Sequence, residues 1–135
     1  MIQQRSNMDW MLKDLADSVP HARHVVVLSA DGLRMAQHGT DDDTADRLAA
    51  ACAGLQSLAA AVGHEFPHND GRMRLVVIEM GGGFFYLMAA GARAYLAVLA
   101  DEGVDAGLMG QRMRDLVARI GEHLSTPARN GGQVA

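Results

Sequence analysis

The sequence predicts an α+β fold: a five-stranded antiparallel sheet in an α/β/α sandwich, with one helix on one face and two terminal helices on the other. Three observations carry this. Apolar residues recur at helical spacing in three stretches and crowd into five short runs between them, in the order α-β-β-α-β-β-β-α. Short glycine-containing turns join consecutive strands, which makes neighbours antiparallel. Runs such as Val25 to Leu28 are apolar without alternation, the pattern of strands covered on both faces.

The elements follow in order. Ser6-Asn7-Met8-Asp9 fits a capping pattern, and Met8, Met11, Leu12, Leu15 and Val19 form the apolar stripe of a first helix that stops before Pro20. Trp10 falls off that stripe, at a rim. His24 to Ser29 is a strand, Ala30-Asp31-Gly32 a turn, and Leu33 to Gln37 the returning strand. After the central helix, a polar loop from His64 to Gly71 leads to strands at Met73–Met80, Phe84–Ala90 and Tyr95–Ala100, a meander turned at Gly81-Gly82-Gly83 and Gly91-Ala92-Arg93. From Asp105 a last helix carries Met109, Met113, Leu116, Val117, Ile120 and Leu124 on one face, with Asp115 and Arg119 spaced for a pair on the other. Thr126-Pro127 ends it. The chain therefore divides into a flexible start over residues 1–5, one domain over 6–126 and a flexible tail over 127–135.

The central stretch, Asp41 to Gly63, opens with acids and Thr44, suited to a helix start, and carries no charge from Leu48 onward. Leu48, Cys52, Leu55, Leu58 and Val62 share a bulky face; Asp46, Ala49, Ala50, Ala53, Gln56, Ser57 and Ala60 share a small one. A helix apolar all round is covered all round. A membrane span needs about 20 apolar residues, and Gly54, Gln56 and Ser57 suit one poorly. The remaining readings are a helix covered within its own chain, or one whose bulky face lies on the sheet while its small face meets another chain. The third strand, following a long connection, is expected at a sheet edge, where an apolar strand needs a partner. The expected two-fold interface therefore comprises Asp46, Ala49, Ala50, Ala53, Gln56, Ser57 and Ala60 with Arg72, Arg74, Val76 and Ile78. Ala53→Glu and Val76→Pro are the variants expected to weaken it.

Composition narrows the function. With 135 residues the chain is one domain in size, and its net charge of −4 and pI near 5.8 speak against a nucleic-acid surface. Lys13 is its only lysine, and the arginines are scattered. The single Cys52 excludes an internal disulfide, and no signal or membrane-spanning segment is indicated, so a cytoplasmic location is expected, any membrane recruitment being left to partners.

Candidate chemical motifs each yield to a simpler account. Gly81-Gly82-Gly83 lacks the following Lys-Ser/Thr and the helix of a phosphate loop, and Gly103, Gly107 and Gly110 are misspaced for a dinucleotide fingerprint. The histidines are His21, His24, His38, His64, His68 and His123; His64 and His68 could share a metal were their loop helical, but Pro67 intervenes, and surface loop histidines are the simpler account. Ser29 and Asp31 have no histidine in a defined relation. Asp41-Asp42-Asp43 lacks the alternation of a calcium loop. Arg72 and Arg74 read as edge-guarding charge before they read as an arginine finger. No catalytic group, metal or cofactor is predicted.

With the elements placed, the chain resembles the roadblock (dynein light chain roadblock) family in its short actinobacterial form. The residues that carry this are Asp9 to Leu15, Val19-Pro20, His24 to Leu33, Ala45 to Ala50, Gly54 to Ala59, Val76 to Met80, Tyr95 to Ala100 and Gly107-Leu108-Met109. The resemblance implies a roadblock/profilin-like sheet with one helix opposite two, and homodimers joined through edge strands and central helices. It implies a non-catalytic regulator or scaffold for a Ras-like small GTPase, set beside a sensor-kinase-like protein. A small-ligand sensor with a pocket between sheet and helices is the competing expectation.

Overall fold

The computed structural model describes residues 2–68 and 72–125, with side chains from residue 8 onward. Three helices and five strands follow the predicted order: α1 (Ile2–Ser18), β1 (Ala22–Ser29), β2 (Arg34–His38), α2 (Asp42–Gly63), β3 (Leu75–Met80), β4 (Gly83–Ala90), β5 (Ala94–Asp101) and α3 (Ala106–Ser125). The strands form one antiparallel sheet ordered β2-β1-β5-β4-β3. As expected, β3 is an edge strand.

The unalternated strands are explained by two cores. Val25 and Val27 of β1 point to one face, with Tyr86, Met88, Leu96 and Val98, beneath α1 and α3. Val26 and Leu28 point to the other, with Phe85, Leu87, Tyr95 and Ala97, beneath α2. Each buried Leu, Met, Ile or Val side chain contributes roughly 1.5–3 kcal/mol relative to exposure.

α1 seats Met8, Met11, Leu12 and Leu15 as its periodicity predicts, Val19 is buried just past its end, and Trp10 stands out in solvent. The helix begins at Ile2, so Ser6 lies inside it and not at its cap, and the stretch expected to be flexible is helical in backbone from Ile2. The expected tail over 127–135 lies outside the described residues. α3 seats Met109, Met113, Leu116 and Ile120. Arg119, spaced for Asp115 on its own helix, instead reaches Asp14 of α1 at 3.6 Å, tying the two helices of this layer together.

β2 starts one residue later than predicted, because Leu33 belongs to the turn, where its carbonyl accepts from the Ser29 N–H at 2.8 Å. The turn's Gly32 adopts φ +87°, a conformation other residues rarely accept.

Candidate interaction surface

α2 is held at its start by an N-cap. Asp41 accepts from the Thr44 N–H at 2.9 Å, and the hydroxyl and N–H of Thr44 hold its carboxyl below the usual range. Arg34 of β2 then grips the first turns, its Nε donating to Asp46 at 2.8 Å and its Nη1 lying 3.5 Å from Asp42.

The buried stripe of α2 agrees with expectation at Leu48, Cys52 and Leu55 and departs from it at Ala49, Leu58 and Val62. Ala45, Ala49 and Cys52 are the residues it buries against the sheet, with Leu48 and Leu55 partly covered. Leu58 and Val62, expected on the sheet, are 66% and 61% exposed. Ala49 is therefore a core residue and unavailable to a partner. Ala53 is half-buried beside the β1–β2 turn: a Cβ placed on Gly32 would sit 3.1 Å from the Ala53 Cβ. Small residues at Ala49 and Ala53 let the helix lie close to the turn, while Leu48 and Leu55 still pack on the same core.

The other expected interface residues divide as follows. Asp46, Ala50, Ser57, Ala60, Arg72 and Arg74 are exposed, although Asp46 is engaged by Arg34, and Arg72 donates to the Gly91 carbonyl. Gln56 is half-buried, with no partner for its Nε2 among the described residues. Val76 and Ile78 are half-buried on the α2 face, beside Leu87 and Phe85 of β4. Leu75 and Val77, absent from the expected set, lie on the opposite face, 49% and 50% exposed. The alternation signals them, since consecutive strand residues point to opposite faces.

Among the described strands, β3 pairs only with β4. The Ala89 N–H donates to the Arg74 carbonyl, which puts the even-numbered residues of β3 in the bonded pairs with β4. The N–H and C=O groups of Leu75, Val77 and Glu79 therefore point off the free edge. Between this strand and the end of α2 lies an open groove of about 540 Å³, lined mainly by Ala59, Val62, Phe66, Met73, Leu75 and Val76. Val62, Phe66 and the bare strand thus face one groove, which His68, Arg72 and Arg74 also line.

The chemical candidates do not assemble. Among the described residues, no three His, Cys, Asp or Glu side chains are grouped to hold a metal. Ser29 donates to Asp31 within its own turn. The Gly82 N–H is taken by Glu102 Oε2 at 3.1 Å, which makes the glycine run a hairpin turn. Burial pushes the Cys52 thiol up to about 12, so it stays protonated and unreactive at neutral pH. Among the described residues no helix is long and apolar enough to cross a membrane.

The three-layer arrangement is shared with profilins. Profilin II of Acanthamoeba castellanii superposes with a TM-score of 0.57 at 17% identity, covering 88% of this chain and 97% of that one, a likeness of fold alone. Residues 8–100 match the family model described as the Roadblock/LC7 domain. A Roadblock/LC7 domain from Streptomyces avermitilis is 39% identical, with a TM-score of 0.81, over 87% of this chain and 98% of that one. The chain belongs to the Roadblock/LC7 domain family. The gliding protein MglB from Thermus thermophilus shares the fold, with a TM-score of 0.79 at 17% identity, covering 89% of this chain and 90% of that one. A comparison with curated proteins returned no match.

Proposed function

We propose that this chain is a non-catalytic homodimeric regulator or scaffold that binds a Ras-like small GTPase. The observation that supports self-association is the bare β3 edge, which shares an open groove with Val62 and Phe66 at the end of α2, one turn on from the outward Leu58. Two copies related by a two-fold axis would pair β3 with β3 antiparallel and bring their α2 flanks together, covering what a single protomer leaves open. Relative to the expectation from sequence, Ala49 leaves the interface and Leu58, Val62, Leu75 and Val77 join it. Asp46, Ala50, Ala53, Gln56, Ser57, Ala60, Arg72, Arg74, Val76 and Ile78 are retained as its flanks. The GTPase half of the reading draws on family membership. Such a partner can bias a GTPase only through different affinities for its two nucleotide states.

Mass in solution tests the dimer, with Val77→Pro replacing Val76→Pro as the probe. Val77 directs its N–H off the edge, whereas Val76 bonds β4, so only the former spares the protomer. Light scattering should show a dimer for the wild type and a single chain for Val77→Pro. A pull-down against GDP- and GTP-loaded small GTPases tests the partner. Failure to bind any of them, with thermal stabilisation by a small ligand, would favour the sensor instead.

A further inference from the structure

The sheet has two edges, and they differ in what governs strand addition. β3 pairs through six residues, Leu75 to Met80, in unbroken register and presents apolar side chains. β2 is interrupted: Val27 pairs with Ala36 but Leu28 pairs with Arg34, so Met35 is an extra residue that bends the strand. Beyond that bulge, Gln37 lies opposite Val26, and its backbone N–H donates to Asp9 Oδ1 of α1 at 3.2 Å. That N–H is a donor an added strand would need, and a carboxylate is a strong acceptor for it. The Gln37 side chain is also engaged, its Nε2 donating to the Thr40 carbonyl and to Asp42 Oδ1, each at 3.0 Å.

We propose that Asp9 guards the second edge: its carboxylate occupies the Gln37 N–H and bars β2 from strand addition, so the assembly closes at two. The guard itself stands on the contact between α1 and β2; the limit of two rests on the dimer reading above. Pairing β3 with β3 uses one edge of each copy and leaves two β2 edges at the outer ends of a ten-stranded sheet, where open donors would join dimers end to end.

Two measurements decide it. Amide exchange of the wild type should show the Gln37 N–H at least about tenfold slower than an unpartnered amide, as befits a charge-assisted hydrogen bond. Exchange near the unprotected rate overturns the guard without any variant. By light scattering, wild type and Asp9→Asn, which keeps a side-chain oxygen acceptor, should hold one mass as concentration rises. Asp9→Leu should climb past that mass as β2 edges pair, and a folded Asp9→Leu that keeps the wild-type mass overturns the proposal. A wild type of single-chain mass would refute the dimer reading alone, since Asp9→Leu is still required to exceed it.

Discussion

α2 and α3 are of similar length, 22 and 20 residues, and lie on opposite faces of one sheet, yet they are seated by different means. α3 presses large side chains, Met109, Met113, Leu116 and Ile120, into the core and shows Arg112, Arg114, Asp115, Arg119 and Glu122 outward. α2 is seated by Ala45, Ala49 and Cys52 and holds Leu58 and Val62 in the open. One helix has its large apolar groups covered within its own chain; the other leaves two of them, Leu58 and Val62, exposed. Size of side chain, then, does not say which way a helix faces. What says so is whether the opposite face is charged.

The sharpest way to break this comparison is to shorten a large residue in each helix. Leu116→Ala should cost about 2–5 kcal/mol in urea unfolding, since it empties a packed site, whereas Leu58→Ala should leave protomer stability nearly unchanged. Equal costs would mean that both helices are seated alike. A charge sharpens the contrast further: Leu58→Glu should reduce the particle to single-chain mass by light scattering while preserving the circular dichroism of the fold.

A smaller effect concerns the seated side of α2. Burial raises the Cys52 thiol from about 9 to about 12, so the folded state prefers the protonated form. Stability from this group is full below about pH 9 and declines as pH rises towards 12, because the unfolded chain releases its proton first. Alkylation at pH 8 should accordingly be slow in the folded protein and fast in denaturant. Prompt labelling of the native chain would show the inner side of α2 to be open. The smallest expected effect is that of Asp41→Ala, which removes one exposed cap and should lower the melting temperature slightly, without changing association. The depressed Asp41 carboxyl adds stability above the ordinary carboxylate range and loses it as pH falls below.

How much of this was legible in the sequence follows from the same contrast. α3 announces its inner face because Arg112, Asp115 and Arg119 mark the outer one, and the order of elements, the hairpins and the edge position of β3 follow from turn residues and loop length. The wheel of α2 turns Leu48, Cys52 and Leu55 rightly towards the sheet, but no charge after Arg47 marks its outer side, so Ala49 is misplaced outward and Leu58 and Val62 inward. The contact of Asp9 with Gln37 and the reach of Arg119 to Asp14 join residues far apart in the chain. No periodicity encodes such pairs; they exist only once the helices lie on the sheet.

The contact of Gly32 with α2 carries a mechanical consequence. The turn leaves so little clearance that an added methyl group would press on Ala53 and come within 3.4 Å of the Ala49 carbonyl. The helix leans on that turn as a door rests on its stop. A bulkier stop would swing the outer stripe of Leu58 and Val62 to a new angle, and two copies meeting through it would dock differently. On the dimer reading, the shape of the pair would then be adjusted from a spot that neither copy offers to the other.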